Sequence, residues 1–202
     1  EYNMNGILEI AENIKKEKYI MVNEKLNIGI IVGTTREGRV SPQVAKWVKE
    51  IADERKDANY TIVDIKDFKL PFLGETTDMG PVTKWGETIT ALDGFIFVTG
   101  EYNHGVPAPL KNALDWLKDQ WNNKAAGIVS YGSTGGARAA EHLRGILAEL
   151  QVASVRTHPT LSIFLDFEKM TTFKPQALHK GTVNLMLDQV LAWSKALKTV
   201  RK

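Results

Sequence analysis

The chain has 202 residues, a length that suits one folded domain built on an open sheet covered by helices on both faces. Hydrophobic residues make up 43% and charged residues 25%, with a formal charge of +2; this is globular composition, and no basic stripe appears that would track a nucleic-acid backbone. Cysteine is absent, which excludes disulfides, thiolate metal sites, a cysteine nucleophile and an iron–sulfur cluster, so any redox chemistry needs a bound organic cofactor.

Residues 1–26 are polar, with weak helical spacing at Ile7, Ala11 and Ile14, and read as an extension ahead of a domain spanning 27–202. They fit a partner-binding helix, or foreign sequence ahead of a natural start at Met21; the residues leave both open. The apolar runs Ile28–Val32 and Phe95–Val98 are too short to span a bilayer, and no basic segment leads into a long apolar one. A cytoplasmic protein with no membrane partner is expected.

From Asn27 onward, short β-branched apolar runs alternate with segments of helical period, the pattern of repeated βαβ units. Strands are predicted at Ile28–Val32, Tyr60–Ile65, Phe95–Thr99, Ala126–Ser130 and Ala153–Thr157, most of them too continuously apolar to have a face in water. Helical faces are predicted for Val44, Trp47, Val48 and Ile51, for Leu110, Leu114, Leu117 and Trp121, for Ala140, Leu143, Leu147 and Leu150, and for Met186, Val190, Trp193 and Leu197. These positions read as core. Right-handed crossovers and five parallel strands give a doubly wound α/β sheet of order 2-1-3-4-5, whose ligands bind beyond the carboxyl ends of the strands.

Three loops at that edge carry the candidate chemistry. The first, Gly33-Thr34-Thr35-Arg36-Glu37-Gly38-Arg39-Val40-Ser41-Pro42, leads into a helix with Ser41 as expected N-cap and Pro42 as first helical residue. Free N–H groups at the helix start, the hydroxyls of Thr34, Thr35 and Ser41, and a fork from Arg36 or Arg39 suit a phosphate monoester. An ordinary polar turn would read much the same. Neither a G-x-G-x-x-G nor a G-x-x-x-x-G-K-[ST] run is present, which favours a mononucleotide over a dinucleotide or a triphosphate.

The second loop runs from Thr99 to Asp115-Trp116, where glycine, asparagine and two prolines fix an exposed backbone path against which the edge of a flat heterocycle can hydrogen-bond. Tyr102 and His104 add planar groups, and no second histidine or carboxylate stands at metal spacing, so no metal is assigned. The third loop, Ser130-Tyr131-Gly132-Ser133-Thr134-Gly135-Gly136-Ala137-Arg138, has small residues that let a ring approach the backbone, with Tyr131 available to pack on an aromatic system.

EYNHGVPAPLKNALDW at 101–116, GTTREGRVS at 33–41 and SYGSTGGARA at 130–139 resemble the NADPH-dependent FMN reductases, whose relatives include azoreductases, quinone reductases and chromate reductases. The resemblance covers about residues 27–165. It implies a flavodoxin-like fold and non-covalent FMN, with the phosphate held by Thr34, Thr35, Arg36, Arg39, Ser41 and Gln43. It further implies ring contacts from Glu101, Tyr102 and Asn103, closed on the other side by Ser130, Tyr131, Gly132 and Gly135. NADPH or NADH is the implied donor, a quinone, flavin, azo compound or metal oxyanion the acceptor, and a homodimer or dimer of dimers the implied assembly. Gly100 stands where the family usually has proline and Gly105 where serine is common, so Gly100 is expected to loosen the ring-side turn. Residues 166–181 lie past the match and read as an exposed excursion.

The resulting expectation is hydride transfer from NAD(P)H through FMN to a small acceptor in two separate steps, with no catalytic side chain, since the flavin carries the chemistry. Arg138 reads as a surface charge able to meet a phosphate of NADPH. A flavodoxin-type carrier serving a protein partner is the alternative, disfavoured by the near-neutral to basic charge; a flavin-free regulatory module is a third reading.

Overall fold

The computed structural model describes Glu9, Glu12 and residues 25–201. The extension expected at 1–26 therefore lies almost wholly outside the described residues. Leu26 is buried and its carbonyl accepts the Asn59 N–H at 2.8 Å, so it already belongs to the packed domain.

β1 (Asn27–Val32), β3 (Gly94–Gly100) and β4 (Lys124–Gly132) are buried along nearly their whole length, as continuously apolar strands in the middle of a parallel sheet must be. β2 (Asn59–Asp64) forms one edge and buries Tyr60 and Val63 while Asn59, Thr61 and Ile62 are exposed. The sheet is parallel in the order β2-β1-β3-β4-β5, the doubly wound flavodoxin-like order expected from the sequence. α1 (Ser41–Arg55) and α5 (Leu178–Lys198) cover one face through Val44, Val48, Met186 and Val190. α2 (Gly80–Thr90), α3 (Ala108–Asp115) and α4 (Ala137–Glu149) cover the other through Trp85, Ile89, Leu114, Leu143 and Leu147. No helix among the described residues is long and apolar enough to cross a membrane.

The fold departs from the sequence reading in four places. The strand expected at Ala153–Thr157 is two pieces, β5 (Val152–Ser154) on the lower half of β4 and β6 (Thr160–Ser162) on its upper half. Side chains satisfy the backbone between them: Arg144 donates to the Val155 carbonyl at 2.8 Å, and the Gln189 amide accepts the Thr157 N–H at 2.9 Å, while Pro159 has no N–H to give. Secondly, α3 stops at Asp115, so Leu117 and Trp121 are core residues of the following turns, with the Trp121 indole donating to the Leu114 carbonyl at 3.2 Å. Thirdly, Trp193 keeps 47% of its surface, because α5 turns that position toward solvent.

Fourthly, residues 166–181 are largely exposed, as the sequence reading has it, but they carry structure of their own. β7 (Phe167–Glu168) and β8 (Thr172–Phe173) form a short hairpin docked on α1. Phe167 lies 5% exposed between the Tyr131 and Phe173 rings, and Phe173 meets Trp47 edge-on at 5.4 Å. The buried Asp166 carboxylate accepts the N–H groups of Ser162 at 2.8 Å and Gln176 at 3.1 Å, closing the segment on itself. α2 had no sequence expectation: its proline, two glycines and three threonines are poor helix formers, and burial of Val82, Trp85 and Ile89 at i, i+3 and i+7 overrides them.

Candidate functional site

The carboxyl ends of β1, β3 and β4 are adjacent in the sheet, so the three loops that follow them meet at one edge. The contact is direct: Arg36 Nε donates to the Tyr102 hydroxyl at 2.9 Å, with the guanidinium carbon 5.7 Å from the ring centroid. Both side chains are exposed, and the terminal guanidinium nitrogens of Arg36 make no hydrogen bond within the described residues.

In the first loop most of the expected phosphate residues have partners. Ser41 does not cap α1; Val40 holds that position and no side chain caps the helix, but Pro42 has no N–H and the Gln43 N–H goes to the Val40 carbonyl at 3.0 Å, so the Ser41 N–H is what the first turn can offer a ligand. The Ser41 hydroxyl instead shares buried hydrogen bonds with Thr34 Oγ1 at 2.5 Å and with the Tyr131 hydroxyl at 2.7 Å. The Arg39 guanidinium forms a two-point pair with Asp64 at the end of β2, at 2.7 and 2.6 Å, and also donates to the Thr34 carbonyl. The Asp64 hydrogen bond raises the Arg39 pKa further, so this charge is a fixed brace of the loop. Gln43 donates to the Thr171 carbonyl and accepts the Phe173 N–H, each at 2.9 Å, tying α1 to the hairpin. Thr35 is half-buried and Arg36 exposed.

The second loop is held by its backbone. Tyr102 and Gly105 exchange hydrogen bonds at 3.1 and 3.0 Å around Asn103 and His104, both left-handed at φ 48° and 67°. A tight turn of two non-glycine residues at positive φ is costly, and such conformations concentrate at ligand sites. Gly100 lies outside this turn. It is the last residue of β3, buried and paired with Tyr131, so it does not loosen the turn as expected. A side chain there would start 3.0 Å from the Tyr131 hydroxyl, so the phenol occupies the space that proline would need. Gly105 has ordinary room for a serine.

Glu101 anchors the third loop. Its carboxylate accepts the N–H groups of Arg138 at 3.1 Å and Ala139 at 3.3 Å, capping α4, and pairs with the Arg138 guanidinium. Burial pushes the Glu101 carboxyl up, but these bonds and the Arg138 charge outweigh it and hold the group below the usual range. Arg138 is thus engaged within the fold. Ser130 Oγ donates to the Gly135 carbonyl at 2.5 Å, which leaves His158 Nε2 to donate to it at 2.7 Å. Burial and the neighbouring Arg144 push the His158 imidazole down to about 4, so it stays neutral at physiological pH. Gly136 has φ 73° and packs so closely that a Cβ would lie 2.8 Å from the Tyr131 carbonyl. Gly132 and Gly135 are buried beside it, while Tyr131 points away from the open edge toward Phe167.

The sequence profile of the NADPH-dependent FMN reductases matches residues 26–165. The chain belongs to this family. It is an NAD(P)H-dependent oxidoreductase that works with FMN, 38% identical over 156 residues to an NAD(P)H-dependent FMN reductase of Schizosaccharomyces pombe, covering 73% of this chain and 77% of that protein. A quinone reductase of Escherichia coli is 30% identical over 188 residues, covering 89% of this chain and all of that protein. The solved flavoenzyme NAD(P)H:(acceptor) oxidoreductase of Paracoccus denitrificans has the same fold, with a TM-score of 0.66 over 83% of this chain and 98% of that one, at 19% identity. For an FMN reductase the site residues fit: the Ser41 N–H at an uncapped helix start and the terminal nitrogens of the Arg36 fork serve one loop, and a fixed backbone turn stands in the next.

Proposed function

We propose that this FMN reductase passes hydride from NAD(P)H through FMN to a quinone or other small flat acceptor, donor and acceptor using one open face in turn. The contact between Arg36 and Tyr102, which joins the phosphate-type loop to the ring-type loop, carries this reading. In it Thr34, Thr35, Arg36 and Ser41 hold the phosphate, with the Ser41 N–H at the start of α1. The Tyr102–Asn103 turn and the backbone of Gly132 and Gly135 hold the ring. Arg39, Gln43, Glu101, Ser130 and Tyr131 keep these loops in place. When bound, FMN supplies hydride acceptance and release; the side chains bind, orient and exclude water, and none is required as acid or base.

The names of relatives, a quinone reductase in Escherichia coli and a 2-hydroxy-1,4-benzoquinone reductase in a Burkholderia species, support a quinone as acceptor. Two measurements test the reading. Mass spectrometry of the released cofactor is expected to return FMN, and NADPH oxidation with a benzoquinone is expected to give parallel initial-rate lines. FAD as the main species, or intersecting lines, would overturn it. The same reading makes the protein a cytoplasmic homodimer or dimer of dimers, to be checked by sedimentation and cell fractionation.

A further inference from the structure

A pocket of about 300 Å³ opens beside the phosphate-type loop, between the segment after β2 and the start of α3. Its walls include Thr35, Ile65, Lys66, Lys69, Phe72 and Pro109. The outer wall is built rather than draped: Asn112 donates to the Pro71 carbonyl at 2.8 Å and accepts the Leu73 N–H at 3.0 Å, and the Trp116 indole donates to the same Pro71 carbonyl at 2.7 Å. Phe72 is therefore a fixed aromatic edge although 59% of it is exposed. The Asn and Trp of the sequence motif at 101–116 serve this wall.

The pocket is apolar along Ile65, Leu70, Phe72 and Pro109 and polar elsewhere, with two cations, Lys66 and Lys69, in its wall. Lys66 is paired at 2.6 Å with Glu37, a carboxylate 93% exposed, and the Lys69 ammonium makes no hydrogen bond or ion pair within the described residues. Such a pocket suits an aromatic ring system carrying a phosphate. No residue of the ring-side loops at 101–105 and 130–136 lines it. A small acceptor reduced at the ring has no need of it, whereas a two-headed donor whose nicotinamide reaches the ring must place its other half elsewhere.

Resting on the function proposed above, we infer that this pocket takes the adenosine end of NADPH, with the 2′-phosphate between Lys66 and Lys69 and the adenine against Phe72. The pocket then sets the preference for NADPH over NADH. The test uses the FMN-loaded protein. Calorimetric titration with adenosine 2′,5′-bisphosphate and with AMP is expected to show tighter binding of the bisphosphate by wild type. The Lys66→Ala/Lys69→Ala variant is expected to lose roughly ten- to one-hundred-fold of bisphosphate affinity while binding AMP as before. In turnover its KM for NADPH rises by a similar factor, and its KM for NADH and its kcat hold. Phe72→Ala is expected to weaken NADPH and NADH alike, by roughly fivefold or more, since both carry adenine. Unchanged bisphosphate affinity in the double variant overturns the inference, as does a KM shift confined to the acceptor. A purified protein without flavin would instead overturn the function on which it rests.

Discussion

The two loops that meet at Arg36 and Tyr102 are built in opposite ways. The loop after β1 is rich in polar side chains, yet Arg39, Ser41 and Gln43 brace the loop against β2, β4 and the hairpin, leaving Arg36 and Thr35 to face outward. The loop after β3 has its shape locked in the backbone, with Asn103 and His104 left-handed, while Glu101 reaches back to cap α4. A side-chain loop can lose one member and keep its form; a backbone loop depends on conformations few residues tolerate. Substitutions in the backbone-held side should therefore cost stability, and those at the outward face of the other should cost affinity.

The largest expected effect carries the backbone half of that contrast over to the loop after β4, where Gly136 is also left-handed. Gly136→Ala adds a Cβ at a left-handed position against the Tyr131 carbonyl, and urea denaturation is expected to show a loss of about 2–4 kcal/mol. An unchanged midpoint would mean the β4 loop yields freely. Next comes Arg36→Ala, expected to weaken FMN binding to apoprotein by roughly ten- to one-hundred-fold while leaving riboflavin, which lacks the phosphate, nearly unaffected. Equal losses for both flavins would point to a disturbed loop. Arg39→Gln separates brace from ligand in the same loop: stability should fall by about 1–2 kcal/mol with the ratio of FMN to riboflavin affinity preserved. A collapse of that ratio would make Arg39 a phosphate contact.

These contrasts also show what the sequence could carry. Strand order and the meeting of three loops follow from short apolar runs, crossovers and strand ends, all of which are local signals read through general rules. The partners of Arg39 and Ser41 are not local: Asp64 stands 25 residues away and Tyr131 stands 90 residues away, and only the register of β1 against β2 and β3, and of β3 against β4, brings them close. The rule that neighbouring strand ends adjoin would have placed Asp64 beside the loop. Pro159 is the one residue between Val152 and Ser162 that announces a divided strand; the rest of the interruption is satisfied by Arg144 on the preceding helix and Gln189 on the last one, which the run itself does not show.

A pH-dependent effect concerns His158, which supports the β4 loop through Ser130. Its folded pKa of about 4 lies below the unfolded value of about 6.5. Between those values the unfolded chain holds the extra proton, so stability is fully present above about pH 6.5 and declines as pH falls toward 4, by up to about 1 kcal/mol per unit. His158→Gln is expected to remove this slope in denaturation series between about pH 7 and 4.5, and a slope that survives would assign it to another group.

The divided outer strand bears on how the protein resists sticking to itself. A sheet edge recruits foreign strands when it presents a continuous row of unpaired N–H and C=O groups. Here the edge beyond β4 consists of two three-residue pieces, and the Val155 carbonyl and Thr157 N–H between them are already taken by Arg144 and Gln189. An incoming chain finds no register longer than one short piece before it meets occupied backbone. Growth by strand addition is thereby discouraged on that side, and the six-residue β2, with Asn59 and Thr61 in water, is left as the uninterrupted edge of this sheet among the described residues.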